Sequence, residues 1–196
     1  MPMGRPREFD AEQVVESALR VFWAKGYEGT TMADLSAATK LKAGSIYGAF
    51  GSKAGLFKQV VDRYARTTFA YGEAALAADT AREVARRWLI GAAEATTGPA
   101  TPPGCLLVQG ALATGDTADE VRADLCARRQ AAEVLLTERF TRARDEGDLR
   151  QSVEPRDAAA YVLTLSQGFA VQAASGTGQA DLRRLADLAL LHLPWE

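Results

Sequence analysis

Apolar residues in this 196-residue chain recur every three or four positions almost from end to end, and no stretch of any length alternates as a strand would. That period restricts the chain to helices packed on helices. Asp10 is a good N-cap, with Gln13 three positions later at capping-box spacing. Val14, Ala18 and Phe22, beside Val15, Leu19 and Trp23, then form one apolar face that ends at Gly26. Thr30 or Thr31 caps a short second helix holding Met32, Leu35 and Ala38. A break at Thr39–Lys40 leads into a third short helix, roughly 42–48. Ser52 caps a long fourth helix with Leu56, Val60 and Tyr64 in register, reaching to about 77.

The second half repeats the pattern at larger scale. Asp79 opens a helix through Val84, Trp88 and Leu89. The segment "GPATPPG" (98–104) reads as a loop, and a short apolar helix follows from Cys105 to Ala113. A long helix from about 117 to 146 carries Val121, Leu125, Ala132, Leu136 and Phe140. Pro155 stands in the first turn of the next helix, as proline prefers, with Tyr161, Leu165 and Phe169 along it. The last helix, about 179–193, shows Leu182, Leu185, Leu188 and Ala189. The expected class is all-α.

Composition removes several functions. With 47% hydrophobic and 24% charged residues the chain can bury a real core, and no apolar run approaches a membrane span. The N-terminus has basic residues without a following apolar run, so it does not read as a secretory signal. Two cysteines, Cys105 and Cys126, make no disulfide framework, and a cytoplasmic location is the default; both are candidates for redox sensing or for small buried hydrophobes. One histidine, His192, leaves no His-rich metal site and no Ser-His-Asp set, and it reads as a capping or surface residue at the end of the last helix. Asp119, Glu120 and Asp124 suit a helix N-terminus better than a metal. Neither an enzyme nor a cofactor is expected.

Charge is unevenly placed. Residues 1–66 hold ten Lys and Arg against seven Asp and Glu, whereas 67–196 hold thirteen against eighteen, and all five lysines lie in the first segment. A basic head on an acidic body suits a polyanion partner. Within that head, "LKAGSIYGAFGSK" (41–53) is thin: Ala43, Gly44, Ser45 and Gly48 surround Tyr47, and Lys42 and Lys53 flank it. Two short helices with a tight turn, buttressed by a longer one, make a helix-turn-helix, whose second helix must enter a major groove about 12 Å wide. Small outward residues permit that approach, Ile46 and Phe50 pin the helix inward, and the Tyr47 hydroxyl can reach a phosphate. Arg5 and Arg7 in "GRPR" (4–7) form an extended basic arm suited to an AT-rich minor groove.

The segment "TTMADLSAATKLKAGSIYGAFGSKAGLF", preceded by "ALRVFWAKGYEGT", resembles the DNA-binding part of the tetracycline-repressor (TetR) family over roughly residues 9–60. The resemblance implies a helical homodimer of about nine helices that represses transcription from double-stranded operator DNA until a small-molecule effector binds. It implies an arm over 1–8, a DNA-binding domain over 9–54 with the helix-turn-helix at 31–50, and an effector and dimerisation domain over 55–196. By position, Thr31, Tyr47 and Lys53 match backbone-contacting residues, while Lys42, Ala43, Gly44 and Ser45 match the base-reading region. Three positions depart from the pattern: Lys40 replaces a usual glycine, and Gly48 and Ala49 replace a usual histidine and aromatic. The departures keep a second reading open, a helical small-molecule-binding protein with a degenerate DNA head.

In the C-terminal half, "PPGCLLVQGALA" (102–113) resembles one branch of the family and offers an apolar helix with one amide. Trp88, Leu106, Gln109, Leu112 and Gln130 are therefore the expected effector-lining residues. The family's dimer contact lies on the last two helices, where Tyr161, Leu165, Phe169, Leu182, Leu185 and Ala189 are the expected seam.

Overall fold

The computed structural model describes residues 9–112 and 118–192; side-chain placement at 111, 112 and 192 lies outside that description. Ten helices and no β-strand occur among the described residues: α1 (Ala11–Gly29), α2 (Met32–Thr39), α3 (Ala43–Phe50), α4 (Lys53–Thr67), α5 (Tyr71–Leu76), α6 (Ala81–Thr97), α7 (Leu106–Leu112), α8 (Asp119–Asp145), α9 (Pro155–Ala174) and α10 (Gln179–His192). The all-helical class is as the periodicity requires.

Caps explain most of the boundaries. The Asp10 carboxylate accepts from the N–H groups of Glu12 and Gln13 and starts α1. At Gly26 (φ 71°, ψ 173°) the backbone leaves helical geometry, so the last turn of α1 is a separate piece beyond a kink. Thr31 and Asp34 form a complete capping box on α2, and the Ser52 hydroxyl accepts from Gly55 N–H to start α4. Helix α6 is capped by Thr80 rather than opened at Asp79, because the Thr80 hydroxyl accepts from Glu83 N–H.

Two apolar cores divide the molecule. One joins α1 to α4 with α7 and the start of α8: Val14, Ala18, Phe22, Leu35, Ile46, Phe57, Val60, Leu106 and Leu125 are all buried there. The other joins α5, α6, the far half of α8, α9 and α10 around Trp88, Leu89, Leu136, Phe140, Val162 and Leu182. The expected boundary at 54 falls inside the first core, since Leu56 through Tyr64 of α4 pack on α1.

The single helix expected from 52 to about 77 is broken. The N–H groups of Thr68 and Phe69 both turn to the Tyr64 carbonyl, at 2.9 and 3.1 Å, and α4 stops there. The break lets Phe69 and Tyr71 both meet Trp88 edge-on, at ring-centroid distances of 5.6 and 5.9 Å. Glycine at position 91 of α6 makes room: a Cβ there would stand 2.6 Å from Tyr71 Cγ. This aromatic lock separates the DNA-side helices from the C-terminal bundle by three residues of turn.

Candidate nucleic-acid interface and effector cavity

Helix α3 has two faces. Ile46 and Phe50 are buried, whereas Gly44, Ser45, Tyr47, Gly48 and Ala49 are exposed and Ala43 is half-buried. Tyr47 stands 46% exposed, a large value for an aromatic ring with no packing role. Lys42, the N-cap residue, is exposed and makes no cap hydrogen bond. Its neighbours Lys40, Ser45, Gly48 and Ala49 border a surface groove of about 530 Å³ that reaches Phe9. Arg5 and Arg7 lie outside the described residues. A helix bared of bulk along one side, with two lysines at its N-terminal edge, can approach an acidic groove closely.

The remaining expected contacts are held in place by their surroundings. Thr31 caps α2 and its hydroxyl hydrogen-bonds the Asp34 carboxylate at 2.8 Å. Lys25 bridges to the same carboxylate at 2.6 Å, and that bond, with those from Thr31, holds Asp34 far below the usual carboxylate range. Lys53, first in α4, is half-buried, with its ammonium 4.4 Å above the centre of the Tyr27 ring. Desolvation pulls the Lys53 pKa down, while Glu28 opposes the shift. Sequence reasoning missed Tyr27, which follows the Gly26 kink and orients Lys53. It also missed Gly55, where a Cβ would collide with the Phe50 carbonyl, so that α3 and α4 meet only because a glycine stands in the first turn of α4.

Helix α4 is tied to α1. Arg63 pairs with Glu16 at 2.6 Å and Glu12 at 2.7 Å on α1, and the Trp23 and Tyr64 rings meet edge-on at 4.9 Å.

Behind Tyr64 lies a narrow cavity of about 40 Å³, room for a few waters, between α4, the 69–71 turn, α6, α7, α8 and α9. Phe69, Leu107, Val108, Ala132 and Leu163 form its apolar walls, and Tyr64, Thr96, Cys105, Arg128, Arg129, Ser166 and Gln167 bring polar atoms to it. The Tyr64 hydroxyl donates to Cys105 Sγ at 3.2 Å. Burial raises the Tyr64, Tyr71 and Cys105 pKa values, so all three stay protonated at neutral pH. Thr96 and Ser166 are spent on backbone carbonyls of their own helices. Arg128 bonds Asp124 at 2.8 Å and reaches across to Asp62 of α4 at 2.6 Å.

Trp88, Leu106, Gln109 and Gln130, expected to line an effector site, are not among the residues that line this cavity. Trp88 is buried behind Phe69 and Tyr71, as core. Leu106 is buried in the DNA-side core. Gln109 folds under Gly104, where a Cβ would lie 2.7 Å from the amide oxygen. Gln130 is exposed on α8, and the Leu112 side chain is outside the described residues. On α7 it is Leu107 and Val108, rather than Leu106 or Gln109, that border this cavity.

The expected dimer seam also divides. Phe169, Leu182 and Ala189 are buried within the subunit and Leu165 is half-buried against the same core. Tyr161 and Leu185 face outward, joined by Val171, Leu188 and Leu191, of which Leu191 is 72% exposed. Helix α10 is leucine-rich on both sides, which hid the division from a periodicity argument.

Residues 14–60 match the family model for bacterial regulatory proteins of the tetR family, and residues 73–187 match that for the tetracyclin repressor-like C-terminal domain. Over 189 residues, 95% of this chain and 90% of the other, the sequence is 28% identical to the HTH-type transcriptional repressor ComR of Escherichia coli (strain K12). Over 64 residues, 33% of this chain and 32% of the other, it is 41% identical to the HTH-type transcriptional repressor BdcR of the same strain. Among solved structures, a cysteine mutant of the TetR family transcriptional regulator CifR complexed with 26-bp double-strand operator DNA matches with a TM-score of 0.92. That match has 34% identity and covers 97% of this chain and all of the other.

Lys40 (φ 61°) is the residue other than glycine with positive φ among the described residues, and it forms the α2–α3 turn. The left-handed region costs an L-residue about 1–2 kcal/mol, part of which glycine gives back as chain entropy in the unfolded state. Lys40→Gly is expected to stabilise the protein by roughly 0.5–1 kcal/mol in urea melts. Equal or lower stability would contradict a strained turn.

Proposed function

We propose that this chain, which belongs to the TetR family of bacterial regulatory proteins, acts in the cytoplasm as a homodimeric repressor that leaves a palindromic operator when a small molecule enters the cavity behind Tyr64. The observation that carries the reading is the bared face of α3, with Lys42, Ser45 and Tyr47 exposed on a helix whose inner side is fully packed. Its likeness to CifR, solved on operator DNA, and to ComR, named a repressor, supports the same direction. The reading as a degenerate head has less behind it, because Thr31 caps α2, buried Leu35, Ile46 and Phe50 anchor both helices, and Lys40 and Lys42 precede α3, despite Gly48 and Ala49.

Exposed Tyr161, Val171, Leu185, Leu188 and Leu191 suit an isologous contact of α9 and α10 with a second copy, in which each apolar residue acts twice. Two recognition helices on such a dimer must lie about 34–36 Å apart to meet successive major grooves. Lys42 is assigned to phosphate or base-edge contact at the N-terminal edge of α3. Lys42→Ala should reduce the slope of log affinity against log salt by about one unit. An unchanged slope would remove Lys42 from the interface.

Effector control is assigned to the Arg128–Asp62 bond, because Arg128 lines the cavity while Asp62 belongs to α4 and moves with the head. A ligand shifts DNA binding only through unequal affinity for two states, with coupling of about 1–3 kcal/mol. The bond is assigned to the DNA-competent state, a choice supported by the likeness of the fold to CifR solved with operator DNA. Asp62→Asn should lower operator affinity about fivefold or more without altering helical content. Wild-type affinity in that variant would contradict the route.

A further inference from the structure

Two neighbouring arginines line the cavity and differ in their partners. Arg128 is satisfied by Asp124 and Asp62. Arg129 makes no ion pair among the described residues: its Nη2 donates to Cys126 Sγ at 3.3 Å, and its Nε is buried with no acceptor. Sulfur is a weak acceptor, and a guanidinium cannot shed its proton. Arg129 is half-buried, and a buried guanidinium N–H left without an acceptor is costly unless something supplies one. The acidic residue nearest along α8 on the outer side, Glu133, is engaged by Arg156 Nε at 3.4 Å.

Most of the remaining wall is apolar, with Phe69, Leu107, Val108 and Leu163 facing the same space beside the already bonded Tyr64, Thr96, Arg128 and Ser166. Arg129, Leu163 and Gln167 also border a surface groove between α8 and α9, so the same three side chains stand between the cavity and the surface. A fixed, unpaired fork at one end and apolar walls beyond it fit a ligand with a planar anion and a short apolar body. Carboxylate is the planar anion whose two oxygens match the guanidinium donors.

We propose that this cavity is a binding site for a small monocarboxylate with an aliphatic or aromatic body, its carboxylate held by Arg129. The assignment rests on the effector reading above and deepens it. A carboxylate at Arg129 would stand one residue from Arg128 and compete with Asp62 for its guanidinium, loosening α4 from α8. At about 40 Å³ the cavity must widen on binding, which favours a small body such as a benzene ring or a short alkyl chain.

The test is calorimetric titration of the full-length protein with benzoate and hexanoate against their neutral amides, benzamide and hexanamide, with operator affinity measured on the same samples. One or both acids should bind at least tenfold more tightly than the matching amide, and Arg129→Gln should erase that preference while leaving amide affinity unchanged. Equal binding of acid and amide, a preference that survives Arg129→Gln, or no binding by any of the four overturns the anion site. The wild-type comparison decides the matter even if the variant does not fold. Acid binding that leaves operator affinity untouched upholds the site and refutes the effector reading instead.

Discussion

Leu56, Phe57, Val60, Val61 and Tyr64 of α4 are all buried against α1, α7 and the start of α8, and this packing is what the rest of the molecule depends on. Each such side chain contributes about 1.5–3 kcal/mol by leaving water. The partly exposed Arg63 pairs to Glu12 and Glu16 add much less, typically under about 1 kcal/mol for such a pair. Apolar burial therefore decides that α4 is part of the head, and the ion pairs set its register. The buried contacts of α4 with α1 continue to Tyr64, and the helix ends at Thr67 where the turn begins.

That turn is bounded by the Phe69, Tyr71 and Trp88 rings, which tie the C-terminal bundle to the end of α4. The cavity lies beside it and touches both bodies: Tyr64 belongs to the head, and Phe69 and Tyr71 to the lock. Under the proposed reading, apolar walls would set the shape of what enters and Arg129 its charge. Because Arg128 is paired and Arg129 is not, one residue can transmit while the other binds.

Much of this was legible in the sequence. The 3.6-residue period, the caps at Asp10, Thr31 and Ser52, and the thin stretch 41–53 led to the helix-turn-helix and to an exposed Tyr47 over a buried Ile46 and Phe50. What was not legible depends on partners distant in sequence. Nothing local says that Gly91 makes room for Tyr71, so the α4–α5 break was read as one helix. Trp88 and Gln109 have the composition of pocket residues but are committed to Tyr71 and Gly104. Leucines on both faces of α10 share one period, so Leu182 and Leu185 could not be assigned to core and surface without the packing.

The central claim is that two copies present the bared face of α3 to successive major grooves. Footprinting on the DNA upstream of the chain's own gene, with sedimentation of the complex to count subunits, tests it most directly. Two protected half-sites about one helical turn or a whole number of turns apart, bound by an even number of subunits, are expected. Uniform, sequence-independent protection, or a single half-site held by one subunit, would contradict it.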